Sequence, residues 1–199
     1  MEGEKPYHHK DLRAALLEAA EAELIEKGLE RFSLRGVARR AGVSHAAPAH
    51  YFDDVDSLIT ALGAIAFSRL HLAMATAVKG QDPKDDLVAI GLAYIRYAEA
   101  HPDLFTLQFS SERPKRDDPE FNRHARASFA VLRDSVAAFA KATGRTTEEE
   151  KDIASTLWAT THGLATLFAI NRRREFAEMS AEERHRTFER ILRRLADAH

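Results

Sequence analysis

The sequence predicts an all-helical protein with a small N-terminal head and a larger helical body. Apolar residues recur mostly at steps of three and four, and no segment shows sustained alternation. Only six prolines and nine glycines interrupt the 199 residues, and 45% of the residues are hydrophobic, which suffices for a buried core. We therefore expect about nine helices, with a three-helix head in residues 1–54 and the remaining helices in residues 55–199.

The head is predicted to hold three helices with recognisable starts and ends. Gly28 and Gly42 follow the first two helical stretches and can take the left-handed conformation that ends a helix. Ser33 and Ser44 precede the second and third stretches and can cap them. The predicted ranges are 10–27, 34–41 and 45–51.

The body is predicted to hold six further helices. Asp53, Asp54 and Asp56 favour a helix start at position 55, because acidic side chains stabilise a helix N-terminus. Residues 110–119 are polar and contain two prolines, which predicts a mobile loop. The predicted ranges are 55–78, 85–100, a short piece ending at 109, 121–143, 148–173 and a last helix that Ser180 caps.

One stretch has nearly the length of a membrane span. Residues 153–171 are nineteen residues without a charge. They include several Ser, Thr and His residues, whereas a spanning helix would be richer in Leu, Ile and Val. We interpret the stretch as a buried helix and expect no membrane partner. Residues 1–9 lack the apolar core of a signal peptide, and the absence of cysteine fits a reducing cytosol, so we expect a cytoplasmic protein.

Residues 31–52, with the sequence RFSLRGVARRAGVSHAAPAHYF, are the most informative segment. They predict two short helices joined by a tight turn at Gly42, an arrangement typical of helix-turn-helix proteins. The segment holds four arginines, two histidines and no acid. The front of the second helix carries small side chains that would fit a major groove roughly 12 Å wide. These features alone favour DNA binding and a solvated helical hairpin about equally.

The motif S-L-x-x-V-A-x-x-A-G-V-S, followed by H-Y-F and a long helix, resembles the N-terminal domain of the tetracycline-repressor (TetR) family. The resemblance covers residues 10 to about 62. Trp158, His162 and Gly163 also resemble a subgroup whose ligand domain carries a Trp…His-Gly signature. The resemblance implies a homodimeric bacterial transcription regulator, usually a repressor, that leaves a double-stranded DNA operator when a small molecule binds the larger domain.

The resemblance also implies which residues would contact DNA. Residues 8–10 could add phosphate contacts from the N-terminus. Phosphate contacts would come from Ser33 and Arg35, and backbone contacts from His50 and Tyr51. The residues implied to face base edges are Ser44, His45, Ala46 and Ala47.

Three departures from the family pattern concern the DNA grip. Ala49 stands where relatives usually have tyrosine, and Val55 stands where they have lysine. Three aspartates surround Val55, at a helix start that would normally hold a phosphate. Pro48 inside the third helix is not counted among these departures, because a proline is tolerable in a first turn and this one resembles a variant seen in the Trp…His-Gly subgroup. We therefore expect fewer phosphate contacts than in a typical relative.

The helical body supplies candidates for a ligand cavity and for a dimer interface. Ordinary core packing remains the alternative for each ligand candidate. The ligand-binding candidates are Phe67, Leu70, Met74, Leu104, Phe105, Phe109, Phe129, Trp158 and His162. The last two helices have apolar faces that could form a two-fold four-helix bundle. The dimer candidates are Ala159, Gly163, Thr166, Ile170, Phe188, Ile191 and Leu195.

Two other functions compete with operator binding. An enzyme is disfavoured because the chain has no nucleotide-binding glycine loop, no cysteine, and no histidine pair at the i,i+3 or i,i+4 spacing of a helical metal site. We therefore expect no catalytic residues, cofactor or metal. The second alternative is a helical dimer that acts as a ligand-binding or protein-interaction module with weakened DNA binding.

Overall fold

The computed structural model describes residues 9–167 and 179–198. These residues contain no strand, and the predicted all-α class is confirmed. Eight α-helices and two 3₁₀ turns, Leu29–Arg31 and Ala47–His50, are present in the described part. The helices are α1 His9–Lys27, α2 Leu34–Arg40, α3 Val55–Ala77, α4 Pro83–Ala100, α5 Pro102–Phe109, α6 Pro119–Thr143, α7 Thr147–Ala165 and α8 Ala181–Ala198.

The head has its own apolar core. α1, α2 and the first half of α3 meet there, and α5 adds Leu104 and Leu107 from the body. Leu16, Leu58 and Ile59 are fully buried at its centre. Leu104 was a predicted ligand candidate, and the structure places it in this core instead. The head is therefore anchored on α3 and α5 by burial of apolar surface.

The body is built around α4, which packs against α3, α6, α7 and α8. α3 lies along α6 for much of its length. Aromatic and aliphatic side chains of all these helices form one second core, which includes Phe121, Phe139 and Phe188. Because α3 contributes to both cores, head and body share one rigid element. The division at 54/55 stays a prediction.

α3 is also the one described helix that is long and apolar enough to cross a bilayer. More than half of its apolar window, 56%, is buried inside the protein, which identifies it as a core helix. The uncharged stretch singled out in the sequence, residues 153–171, begins within α7. α7 itself starts with three acidic residues in its first turn, and residues 168–171 lie outside the described part.

Three of the described helices start at side-chain caps that the sequence predicts, whereas the predicted cap Ser44 precedes no α-helix. Ser33 accepts a hydrogen bond from Gly36 N at 3.1 Å, and Asp54 accepts one from Ser57 N at 2.6 Å. Ser180 accepts from Glu183 N at 3.2 Å at the start of α8. The predicted starts at 85 and 121 are wrong, because α4 and α6 begin two residues earlier at prolines. A proline costs no hydrogen bond in the first turn, where its missing N–H has no partner to lose.

Candidate nucleic-acid interface and ligand cavity

The turn after α2 is fixed by backbone geometry. Gly42 has φ 68°, a conformation that L side chains rarely adopt. Immediately after it, Val43 N donates to Ala38 O at 3.0 Å, which folds the chain back against α2. This geometry accounts for the glycine at the predicted turn position.

The helix predicted over residues 45–51 is wrong as an α-helix. The segment forms one 3₁₀ turn, Ala47–His50, in which Ala49 N bonds Ala46 O at 3.2 Å and Tyr51 N bonds Pro48 O at 3.0 Å. Pro48 is buried and has no N–H to donate to Ser44 O, so the α-helical ladder cannot start there.

Most of the residues predicted to face bases are nevertheless exposed. Ser44, His45 and Ala46 are exposed, and Ala47 is half-buried. His50 is exposed at the end of the same turn, and we refer to residues 44–50 as the recognition turn.

The predicted phosphate contacts differ in their availability. Arg35 is exposed on α2, while the Ser33 hydroxyl accepts the capping bond from Gly36 N. A hydroxyl that accepts in this way still has its own proton to donate to a phosphate. Tyr51 is half-buried and packs against the head core. Position 8 and the side chains of residues 9 and 10 lie outside the described part.

Arg40 is not a free basic residue of the segment. Its Nε donates to Glu23 Oε2 at 2.6 Å, and its Nη2 donates to Glu26 Oε2. Glu23 is 2% exposed, so Arg40 neutralises a buried carboxylate of α1. Hydrogen bonds from Lys27 and Arg40 lower the pKa of Glu26 to about 2. Residues 31–52 contain no acidic residue, but in the folded protein Glu23 and Glu26 of α1 lie beside them.

The acidic start of α3 is neutralised by basic residues of the body. Lys115 Nζ donates to Asp54 Oδ2 at 2.9 Å and to Ser57 Oγ at 2.8 Å. Arg113 Nε donates to Asp56 Oδ1 at 2.8 Å. The hydrogen bonds from Lys115 and Ser57 lower the pKa of Asp54 to about 2. Asp54 thus caps the helix, and because Asp54 and Asp56 are paired with cations, the three aspartates oppose DNA less than their number alone would indicate.

These contacts also anchor the loop predicted to be mobile. Lys115 N donates to Thr60 Oγ1 at 2.8 Å, and Arg113 Nη1 reaches Leu29 O at 3.4 Å. Arg116 closes the loop on itself, with Nη2 donating to Ser111 O at 2.7 Å. Residues 110–119 therefore connect the body to α3 and to the turn after α1 through ion pairs and backbone bonds.

A cavity of about 360 Å³ lies in the body between α3, α4, α6 and α7, with α5 contributing Phe109. Six of the predicted ligand residues line it: Phe67, Leu70, Met74, Phe109, Phe129 and Trp158. Phe105 and His162 stand in contact with this lining. The His162 ring stacks on Trp158 at 5.6 Å between centroids and on Phe105 at 5.5 Å.

Few polar groups reach the cavity, and most of them are already paired. Tyr94 Oη and His162 Nδ1 are hydrogen-bonded at 2.8 Å, and Ser128 Oγ donates to Ala125 O at 2.8 Å. The Thr161 hydroxyl is buried and has no hydrogen-bond partner among the described residues. Burial raises the pKa of Tyr94 and lowers the pKa of His162, so both side chains are uncharged at neutral pH.

The sequence analysis missed part of this lining. The additional residues are Ile90, Gly91, Tyr94, Ala125, Ser128, Leu132, Leu157 and Thr161. One signal was available, since Gly91 lies inside a helix, where glycine is unfavourable without a packing reason. A Cβ at Gly91 would come within 2.8 Å of Leu192 Cδ1 and 3.3 Å of Thr161 Oγ1. Gly91 thus allows α4 and α8 to approach closely.

The predicted dimer residues fall into two sets. Ala159 is exposed, and Gly163, Thr166 and Ile191 are half-buried. Phe188, by contrast, is 2% exposed within the single chain, and Leu195 packs against the same core. Phe188 therefore supports α8 from inside, and its prediction as a dimer residue is wrong because the single chain already buries it. Leu195 is half-buried and its dimer role stays a prediction, while Ile170 lies outside the described part. Among the described residues, no group of three or more potential ligands is placed to hold a metal ion.

Comparisons with known proteins agree with this architecture. The family model described as "Bacterial regulatory proteins, tetR family" matches residues 16–62, and the model "Tetracyclin repressor-like, C-terminal domain" matches residues 87–195. No curated protein shows significant sequence similarity to the chain.

Solved structures share the fold over nearly the whole chain. A protein with unknown function from Rhodococcus sp. RHA1 is 32% identical, with a TM-score of 0.79 over 96% of this chain and 98% of that one. The TetR family transcriptional regulator PfmR from Thermus thermophilus is 22% identical, with a TM-score of 0.67 over 90% and 97%. A TetR family transcription regulator from Marinobacter aquaeolei VT8 is 17% identical, with a TM-score of 0.66 over 92% and 94%. With a helix-turn-helix head and a family match over more than half its length, the chain belongs to the tetracycline-repressor (TetR) family of transcription regulators.

Proposed function

We propose that the chain is a cytoplasmic repressor that binds a palindromic DNA operator as a homodimer. A small organic molecule bound in the cavity changes its affinity for DNA, and the activity is binding and release without catalysis. The observation that carries the proposal is the recognition turn. Its residues Ser44, His45 and Ala46 are exposed, they follow α2 with its exposed Arg35, and backbone hydrogen bonds fix the turn.

The charge and shape of this surface fit the edge of a duplex. Arg35 and Arg39 are exposed on α2 and supply positive charge for phosphates. His45 is the one long polar side chain at the front of the recognition turn, and Ala46 can contact a thymine methyl group. We therefore expect modest base discrimination, most of it through His45.

The homodimer is proposed through α7 and α8. Ala159 is exposed, and a Cβ built on Gly163 would meet no described atom within 4 Å, so the backbone of α7 has open space beside it. A second copy can fill such space at close range. Two-fold symmetry would then place two recognition turns about 34–36 Å apart, or a multiple of one DNA turn. The resemblance to the Trp…His-Gly subgroup supports the same arrangement and stays a proposal.

Selection of bound DNA from random sequence tests the proposal. The full chain should enrich a palindrome whose half-sites are separated by one helical turn or a multiple of it. Arg35→Ala should weaken binding to that DNA and lower the salt slope by about one unit. Arg133→Ala, which removes an exposed arginine of α6 in the body, is the matched control and should leave the slope unchanged.

The second candidate is a helical ligand-binding or protein-interaction module with weakened DNA binding. Arg40 favours it, since its charge is used inside the head by Glu23 and Glu26. Val55 also leaves the start of α3 without a cationic side chain of its own. Enrichment of no sequence, together with the absence of salt-sensitive DNA affinity at low salt, would support this module and exclude the repressor.

A further inference from the structure

We propose that the cavity binds an uncharged, predominantly apolar ring compound with one hydroxyl or carbonyl group, and that Thr161 recognises this group. The inference rests on the proposed function in one respect, since it names the class of small molecule that would regulate the protein. It concerns binding in the body and can be tested without DNA.

The walls of the cavity select against charge. Phe67, Phe109 and Trp158 contribute aromatic surface, and Leu70 and Met74 contribute aliphatic surface. No Asp, Glu, Lys or Arg is among the described residues of the lining. A charged ligand would lose its hydration there without gaining a counter-ion, which is strongly unfavourable. An apolar ligand would instead gain from removal of its surface from water.

One polar group of the cavity lacks a partner in the described part of the chain. Thr161 is 5% exposed, and its hydroxyl makes no hydrogen bond to any residue that the structure describes. Buried polar groups are normally paired, and a buried group without a partner favours any ligand that supplies one. A ligand hydroxyl could donate to Thr161 Oγ1 or accept from it, and a ligand carbonyl could accept from it.

The hydroxyl groups of Ser128 and Tyr94 in the lining each already have one protein partner. Ser128 Oγ already donates to the Ala125 carbonyl, and Tyr94 Oη is paired with His162 Nδ1. Thr161 is therefore the one buried hydroxyl of the described lining without a partner, which predicts a single polar group on the ligand. Phe129 and Trp158 are each 45% exposed and form a part of the lining that faces solvent. The entrance of the cavity is therefore also apolar.

Four matched probes test the proposal by isothermal titration calorimetry of the full chain at neutral pH. They share one ring system and differ in polar group: naphthalene, 2-naphthol, 2-acetylnaphthalene and 2-naphthoate. We expect 2-naphthol and 2-acetylnaphthalene to bind about five- to tenfold more tightly than naphthalene, the effect of one hydrogen bond to a buried partner. The anionic 2-naphthoate should bind about a hundredfold or more weakly than 2-naphthol.

Variants of Thr161 assign the preference to its hydroxyl. Thr161→Val keeps the shape and should reduce the affinity for 2-naphthol to that for naphthalene, whereas Thr161→Ser should keep the preference. Thr161→Ala gives the same test if the valine variant does not fold. Thr160→Val changes a half-buried threonine of the same helix that lies outside the cavity lining, and it should leave the preference intact.

Several outcomes would overturn the inference. These are binding of 2-naphthoate as tightly as 2-naphthol, no binding of any neutral probe at millimolar concentration, or a preference for 2-naphthol that survives in both Thr161→Val and Thr161→Ala. A chain that binds 2-naphthol through Thr161 but enriches no DNA would refute the proposed repressor and leave the ligand class standing. A chain that enriches an operator but binds no probe would refute the ligand class and leave the proposed repressor standing.

Discussion

Lys115 Nζ lies 2.9 Å from Asp54 Oδ2, which joins the loop before α6 to the residue that caps α3. Arg113 makes a second such contact, from Nε to Asp56 at 2.8 Å. Only a few residues separate Arg113 from Phe109, which lies in the cavity wall. The lining of the cavity and the start of the helix that supports the head are thus connected through one short stretch of chain. In the proposed function, this connection would be the path by which a bound ligand moves the recognition turn.

Removal of the Lys115 charge should weaken DNA binding. In Lys115→Met, Asp54 keeps its negative charge close to the proposed DNA surface without a counter-ion. We expect about two- to fivefold lower affinity for the selected operator, as is typical for an exposed ion pair. Surface plasmon resonance at constant salt measures the effect. Lys141→Met, at the exposed end of α6, is the control, and equal affinities of the two variants would show that the pair is irrelevant to DNA.

Addition of a cation at the start of α3 should have the opposite effect. Val55 is half-buried beside Asp54 and Asp56, where relatives have a lysine. Val55→Lys should tighten DNA binding across sequences and raise the salt slope by about one unit, since it adds one phosphate contact. Affinities measured over a series of salt concentrations give the slope. The neutral Val55→Gln separates charge from length, and a slope that rises equally in this variant would contradict the explanation.

Loss of Arg40 should act on folding before it acts on DNA. In Arg40→Ala, the carboxylate of Glu23 would remain buried without its counter-ion, which we expect to lower the free energy of unfolding by more than the loss of an exposed arginine does. Urea denaturation measures this value. Arg39→Ala, on the exposed side of the same helix, should change it by about 0.5 kcal/mol or less. Glu23→Gln introduced into Arg40→Ala should recover part of the loss, and no recovery would refute the assignment.

The ion pair at Asp54 should make stability sensitive to acid in a defined range. The pKa of Asp54 is lowered from 3.8 to about 2 in the folded protein. Its stabilising contribution is therefore complete above pH 3.8 and is lost as pH falls through about 2. Asp54→Asn keeps a good helix cap but removes the charge.

The melting temperature measured against pH tests this expectation. The wild type should melt higher than Asp54→Asn at neutral pH, and the two curves should converge between pH 3.8 and about 2. A difference that stays constant through this range would mean that the charge of Asp54 does not contribute.

The sequence predicts those parts of the fold that depend on local chemistry. Ser33, Asp54 and Ser180 cap helices where predicted, because a cap needs only the few residues that follow it. The exception over residues 45–51 is also local, since Pro48 lacks the N–H that an α-helix needs there. Because Pro48 cannot donate a hydrogen bond to Ser44 O, the sequence is more consistent with a short turn than with an α-helix.

Features that depend on distant parts of the chain could not be predicted in this way. Arg40 pairs with Glu23, 17 positions earlier, and Arg113 pairs with Asp56, 57 positions earlier. The spacing of apolar residues along the chain does not indicate such distant partners. Large aromatic residues of the cavity are conspicuous in a sequence, whereas Thr161 looks like any small residue of a helix. Its importance becomes visible only in the folded structure, where no described residue forms a hydrogen bond with its hydroxyl.

The single tryptophan of the chain, Trp158, stands at the open side of the cavity and stacks on His162. The indole emission of the whole protein therefore originates from one spot, with no second tryptophan in the head to obscure it. Displacement of water from that spot would shift the emission to the blue without any added dye. Binding of DNA at the far end would leave the spectrum unchanged unless the two ends communicate, so a single optical signal would distinguish a coupled molecule from an uncoupled one.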